Sequence, residues 1–165
     1  MLETMLPDAR AGAVKQRMQG PRHRAAWEKR RGRLSEIQCA ALAQAYGSCG
    51  GVAGCDEMVG LLRSRFDQPI SVLARWIVGR AVVSFEWRAT TLLPLFQFNF
   101  ADMSIRPQAS DVLRELRDVF DDQDLALWFA QPNAWLDERS PVDVLQTDSR
   151  TVLQAARTDR YIARG

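Results

Sequence analysis

The residues best suited to chemistry in this sequence are few: one histidine, His23; three cysteines, Cys39, Cys49 and Cys55; and one acidic cluster, Asp121, Asp122 and Asp124. A catalytic histidine needs a rigid setting that tunes and aims it. His23 stands between Arg22 and Arg24 in a stretch with few large apolar side chains. A Ser-His-Asp or Cys-His arrangement therefore has no scaffold there. Three thiolates and one imidazole could in principle bind zinc, but the spacings of these four residues match no compact ligand pattern. Neither GxGxxG nor GxxxxGK[ST] occurs, so the usual phosphate-cradling loops are missing. Paired carboxylates can serve as general acid and base, yet Asp121, Asp122 and Asp124 sit where a helix should begin and read as caps. The sequence thus assigns no catalytic, metal or cofactor residue. It reads as a binding protein and not an enzyme.

The charge layout supports that reading. Residues 1–33 hold nine Lys and Arg against three acids, while the remainder holds thirteen basic and seventeen acidic residues. A basic arm thus precedes a mildly acidic body. With three of the ten glycines and two of the seven prolines, the arm is expected to be disordered. It is either a solvated tail or a segment that settles on nucleic-acid phosphates in a salt-dependent way. No stretch is long and apolar enough for a membrane span, and the N-terminus has no apolar signal stretch. An odd number of cysteines without CxxC suits reduced thiols. A cytoplasmic location is the expectation.

The elements that must position any binding residues are mostly helical. Residues 35–46 read as a helix with Ile37, Ala41, Leu42 and Ala45 on one face. Gly47 to Gly51 reads as a flexible link. A helix over 54–65 carries Met58, Leu61 and Leu62 on its apolar stripe. Pro69 opens another over 69–78, with Ile70, Leu73, Ala74 and Ile77 inward. The period then changes to two. Residues 82–87 and 91–100 form a β-hairpin around Arg88-Ala89-Thr90, with Pro94 expected at an edge. Helices follow at 107–119, 122–130, 141–146 and 149–162. The fold class is mostly α with one β-hairpin. A helix-turn-helix-plus-hairpin unit at 34–104 precedes a helical module at 105–165.

Two binding surfaces are suggested. The order of two short helices and a hairpin resembles an excisionase-like winged helix-turn-helix, in which the second helix enters the major groove. Ser71, Arg75, Arg80 and Arg88 would then face DNA. The alternative is a helical hairpin packed on a small sheet with no ligand. The second surface lies near the end of the chain. Trp128 belongs to a helix that is apolar almost all round. Trp135 follows Pro132-Asn133 and is either a lid on the core or a contact for another protein.

The pattern Leu125-x-x-Trp128-x-x-x-Pro132-Asn133-x-x-Leu136, followed by Arg139-Ser140-Pro141-x-Asp143-x-Leu145, resembles the C-terminal toxin-binding domain of Xre/MbcA/ParS-type antitoxins. The resemblance covers about residues 107–165. Many members have glycine where this chain has Asp137-Glu138. The resemblance implies a small helical module whose corner is defined by Trp128, Pro132, Asn133, Trp135, Leu136, Pro141 and Leu145. It implies a toxin partner of the RES type, which consumes NAD, and a dimer. It also implies that the C-terminal end contacts the toxin, here through Arg157, Arg160, Tyr161 and Arg164. The competing reading is a DNA-binding transcriptional regulator whose C-terminal module only dimerises.

Overall fold

The computed structural model describes residues 34–165, so the basic arm at 1–33, His23 included, lies outside the described residues. The first element, α1 (Glu36–Gly47), starts at a capping box. Ser35 Oγ accepts from the Gln38 amide, and Gln38 Oε1 accepts from the Ser35 amide. Its buried side chains are Cys39, Leu42 and Tyr46, whereas Ile37 is 83% exposed. The inward face is thus turned away from the expected one. The reason is Tyr46, whose ring and hydroxyl both find partners inside. Its Oη donates to the Ala126 carbonyl at 2.5 Å, and its ring stacks on Phe96. Burial pushes the phenol pKa well above the usual value, which keeps the proton that makes this bond.

The stretch expected as a flexible link is a tight turn. The Cys49 and Gly51 amides both return to the Tyr46 carbonyl. Gly50 has φ +104, and a Cβ there would meet Phe100 and Leu95 at 3.1 and 3.2 Å. This turn feeds a strand that the sequence did not reveal, β1 (Val52–Gly54). Then come α2 (Cys55–Leu62) and α3 (Pro69–Val78). The hairpin is β2 (Phe85–Trp87) and β3 (Thr90–Pro94). Its two-residue turn places Arg88 and Ala89 at φ 46 and 61, as tight hairpin turns require. The antiparallel sheet runs β1-β3-β2. In chain order these elements run helix, strand, two helices and a hairpin whose second strand is central, and together residues 36–94 form a hairpin unit.

Helix α3 begins at Pro69 as expected, but its inward face is rotated. Leu73 is buried and Trp76 and Ile77 are partly so, while Ile70 is 67% exposed. Trp76 sets the rotation. Its ring meets Phe66 edge-on and lies against Phe98. Pro94, expected at an edge, ends the central strand instead, opposite Val52. It is tolerated because β2 has already ended on its other side. The buried Gln97 amide takes over the ladder there: Val83 N donates to its Oε1 at 2.7 Å, and its Nε2 donates to the Val83 and Pro94 carbonyls. Only Phe85–Trp87 of the expected 82–87 strand joins the sheet. The second expected strand breaks into β3, a 3-10 turn at Leu95–Gln97 and β4 (Phe98–Asn99), which pairs with β5 (Ser104–Ile105).

The remaining helices match expectation apart from their ends: α4 (Pro107–Leu116), α5 (Asp122–Ala130), α6 (Pro141–Val144) and α7 (Ser149–Arg164). Two apolar clusters organise the whole. A smaller one under the hairpin unit is built on Met58, Leu62, Leu73, Leu93 and Phe98. The larger one joins α1, Phe85 and Phe96 to α4, α5, α6 and α7. Packing therefore continues across residues 104 and 105. Among the described residues, no helix is long and apolar enough to cross a membrane.

Candidate functional site

The C-terminal module is built around one corner. Helix α5 is buried along Leu125 to Phe129, so both of its sides meet other elements. Pro132 prevents it from continuing. Asn133 then directs the chain with both ends of its side chain. Its Oδ1 accepts from the Trp135 amide at 2.9 Å, and its Nδ2 donates to Asp159 at 2.9 Å. Its carbonyl accepts from the Leu136 and Glu138 amides, and its own amide donates to the Arg139 carbonyl. An aspartate could not replace it, because the donor toward Asp159 would become a second carboxylate.

Asp159, on α7, is the hub. Its Oδ2 accepts from Trp128 Nε1 at 2.8 Å and from Asn133, while its Oδ1 accepts from Trp135 Nε1 at 2.9 Å. Two indoles and one amide thus converge on one carboxylate. Hydrogen bonds to an ionised acceptor are roughly twice as strong as neutral ones. Trp128 is buried, whereas Trp135 remains 47% exposed although its N–H is held. Past the 3-10 turn Ala134–Leu136, Asp137 and Glu138 adopt φ 55 and 60, the left-handed region that favours glycine. The backbone thus takes the shape expected of a glycine-bearing turn with two acids in its place. Leu136, Pro141 and Leu145 are buried in or against the larger core, and Pro132 is exposed. Ser140 precedes α6, but its hydroxyl donates to Asp143 Oδ2 at 2.5 Å and does not cap the helix.

The four expected toxin contacts separate into two pairs. Tyr161, 81% exposed, and Arg164 face outward near the end of α7. Arg157 and Arg160 reach across to α4, where Arg157 Nε donates to Glu115 Oε1 at 3.0 Å and Arg160 to Glu115 Oε2 at 2.6 Å. The Arg157 hydrogen bond, followed by that from Arg160, holds the Glu115 carboxyl below the usual range against the opposing effect of burial. Beside this bridge lies an open groove of about 400 Å³, lined by Asp111, Arg114, Glu115, Leu153, Arg157 and Arg160.

The four expected DNA contacts fare differently. Ser71 and Arg75 are exposed on α3. Arg80 is not free. Its guanidinium donates to Asp122 at 2.7 Å, to the Arg117 carbonyl at 2.5 Å and to the Phe120 carbonyl at 2.7 Å. It thereby satisfies carbonyls at and just beyond the end of α4 and latches the hairpin unit to the module. Arg88, at the hairpin tip, pairs with Glu36 and lies 5.3 Å over the Trp87 ring. The acidic cluster caps and pairs: Asp121 accepts from the Asp124 amide at 2.8 Å, and Asp122 meets Arg80. Among the described residues, no three His, Cys, Asp or Glu side chains come together to hold a metal.

Asp159 and Glu115 were missed by the sequence reading. Asp159 had left a signal: it is the only acid within 149–164, and it shares the buried stripe of Val152, Ala155 and Ala156. A lone acid on an apolar stripe must find donors. Glu115 left none, because its partners are more than forty residues away.

Comparison with known proteins adds one finding. Residues 115–164 match the family model of the antitoxin Xre/MbcA/ParS C-terminal toxin-binding domain. The match covers slightly under a third of the chain and runs from Glu115 to the last residue of α7. No curated protein and no solved structure gives a match.

Proposed function

We propose that this chain is an antitoxin that binds and neutralises a toxin protein of the RES type, which consumes NAD, through its C-terminal module. The carrying observation is that the family match coincides with a corner in which Trp128, Asn133 and Trp135 are gathered onto Asp159. The corner fixes α7, and α7 presents Tyr161 and Arg164 outward beside Arg157 and Arg160. Arginine forks pair with carboxylates and cations lie on aromatic faces, so this cationic and aromatic stripe suits a partner surface that carries such groups. The role is stoichiometric binding with no bond made or broken, in the cytoplasm, by a homodimer.

Capture from cells tests this. The intact chain should retain a RES-type toxin, and a Tyr161→Ala, Arg164→Ala variant should lose most of it. Point changes are better than deleting 157–165, which would also remove Asp159 and the corner. Failure of the intact chain to capture any toxin ends the antitoxin reading.

The winged arrangement of residues 36–94 supports a second role in DNA binding for autoregulation, or, in the competing reading, as a transcriptional regulator. Ser71 and Arg75 on α3 and Arg88 at the hairpin tip would face the DNA. With so few exposed cations there, the arm at 1–33 would supply most phosphate contacts. Removing it should flatten the salt dependence of binding to the upstream region of its own gene. No binding of the intact chain to that region would exclude this role.

A further inference from the structure

The groove between α4 and α7 has a chemistry that the antitoxin reading leaves unassigned. Three guanidinium groups, on Arg114, Arg157 and Arg160, face two carboxylates, on Asp111 and Glu115, so one positive charge is in excess. Arg114 is held by Asp111 within its own helix. Glu115 bridges Arg157 and Arg160 from the groove floor, with only 18% of its side chain exposed. Each arginine uses little of its donor set. Arg157 engages its Nε, and Arg160 engages one terminal nitrogen. A guanidinium carries five N–H donors in a planar fork. Most donors around this groove therefore remain open to an acceptor arriving from outside. The α7 backbone that carries Arg157 and Arg160 is held from behind by Val152, Ala155 and Ala156 in the core.

We propose that this groove is a seat for a carboxylate side chain, Asp or Glu, of the partner protein, gripped by Arg114, Arg157 and Arg160. Glu115 shows the geometry the forks favour: a single carboxylate bridging two guanidiniums, one oxygen to each. A carboxylate also suits the charge excess, since one incoming negative charge neutralises the groove. Glu115 pairs with Arg157 and Arg160 and lowers the net charge of the groove, which keeps it from attracting more highly charged anions. The proposal rests on the toxin-binding reading for the identity of the partner, but not for the chemistry of the seat.

The test titrates the full chain with a hexaglutamate peptide and reads the backbone amide resonances of residues 111–115 and 153–160. A local readout is needed because the basic arm also attracts an acidic peptide. Saturable shifts in those residues are expected. Arg160→Gln and Arg114→Gln should each weaken the local response roughly two- to fivefold, in line with exposed charge pairs. Glu115→Gln should strengthen it, because the excess rises to two charges. Melting curves show that each variant is folded. Shifts confined to other residues, or an unchanged response in the arginine variants, would overturn the seat. So would inorganic phosphate giving the same response at equal ionic strength. Toxin capture separates the two readings. A toxin held equally by the intact chain and by an Arg114→Gln, Arg160→Gln double variant sinks the seat and leaves the antitoxin role standing. No captured toxin with a positive peptide titration does the reverse.

Discussion

The two ends of the described chain use arginines and aromatics in opposite ways. In the C-terminal module the inward and outward tasks are divided. Trp128, Asn133 and Asp159 close the corner, and Tyr161 and Arg164 remain free on the other side of α7. In the hairpin unit the tasks compete. Arg80 and Arg88, both expected from the sequence to be exposed, are engaged by the fold: one latches onto the end of α4 and the other pairs with Glu36. The outward face of α3 is left with Ser71, Arg75 and the apolar Ile70 and Val78. The contrast is one of number: α7 offers Tyr161 and Arg164 together with the unused donors of Arg157 and Arg160, whereas α3 offers Ser71 and Arg75 alone.

The sharpest way to break this contrast is Asp159→Ala. Three N–H groups would lose their acceptor, two of them on residues that are largely buried. Stability should fall by about 3 kcal/mol, read by chemical denaturation, because each buried donor left unsatisfied costs about 1–3 kcal/mol. A loss under about 1 kcal/mol would mean the corner is held by apolar packing alone. Arg80→Ala comes next. It strips a donor from the Arg117 and Phe120 carbonyls just beyond α4, and a loss of about 1–2 kcal/mol is expected because the side chain is a third exposed and water replaces part of the contact. Should it instead leave stability unchanged and weaken DNA binding, Arg80 would belong to the DNA surface after all.

Two smaller effects sharpen the picture. Tyr46 has a pKa raised in the fold above the value of about 10 in an unfolded chain. Its contribution is therefore complete below about pH 10 and is lost as pH rises further, since the unfolded state releases the proton more readily. Replacing it in Tyr46→Phe should cost about 1 kcal/mol at neutral pH, through the lost hydrogen bond, and should reduce the alkaline loss seen in melting curves. Last, Glu138→Gly should raise stability by up to about 1 kcal/mol, because a left-handed backbone at a residue with a Cβ costs about 1–2 kcal/mol and glycine returns part of that as entropy.

Legibility in the sequence followed the same divide. Helix starts at Pro69, Pro107, Asp122 and Pro141 were readable, because proline and capping residues act locally. The Trp-Pro-Asn-Leu-Pro-Leu constellation was readable as well, because its spacing is short. The inward faces of α1 and α3 were not. Each is rotated by one large ring, Tyr46 or Trp76, whose partners come from elsewhere in the chain. Strand β1 hid behind glycines that suggested slack, and it exists only because β3 lies beside it. The hydrogen bonds of Gln97 replace ladder bonds that Pro94 cannot make, a substitution no local pattern announces. Asp159 was legible in hindsight as an acid out of place, while Glu115 depended wholly on tertiary contact.

The larger core has a practical outcome for anyone wishing to transplant the module. Residues 115–164 carry the family match, but Tyr46 and Phe96 form part of the wall against which Phe129 and Ala126 rest. A fusion that borrowed only the matched residues would leave that wall behind and open an oily face to solvent. A working graft would have to carry α1 and the strand-to-turn segment around Phe96 with it, so the smallest portable piece is discontinuous in sequence.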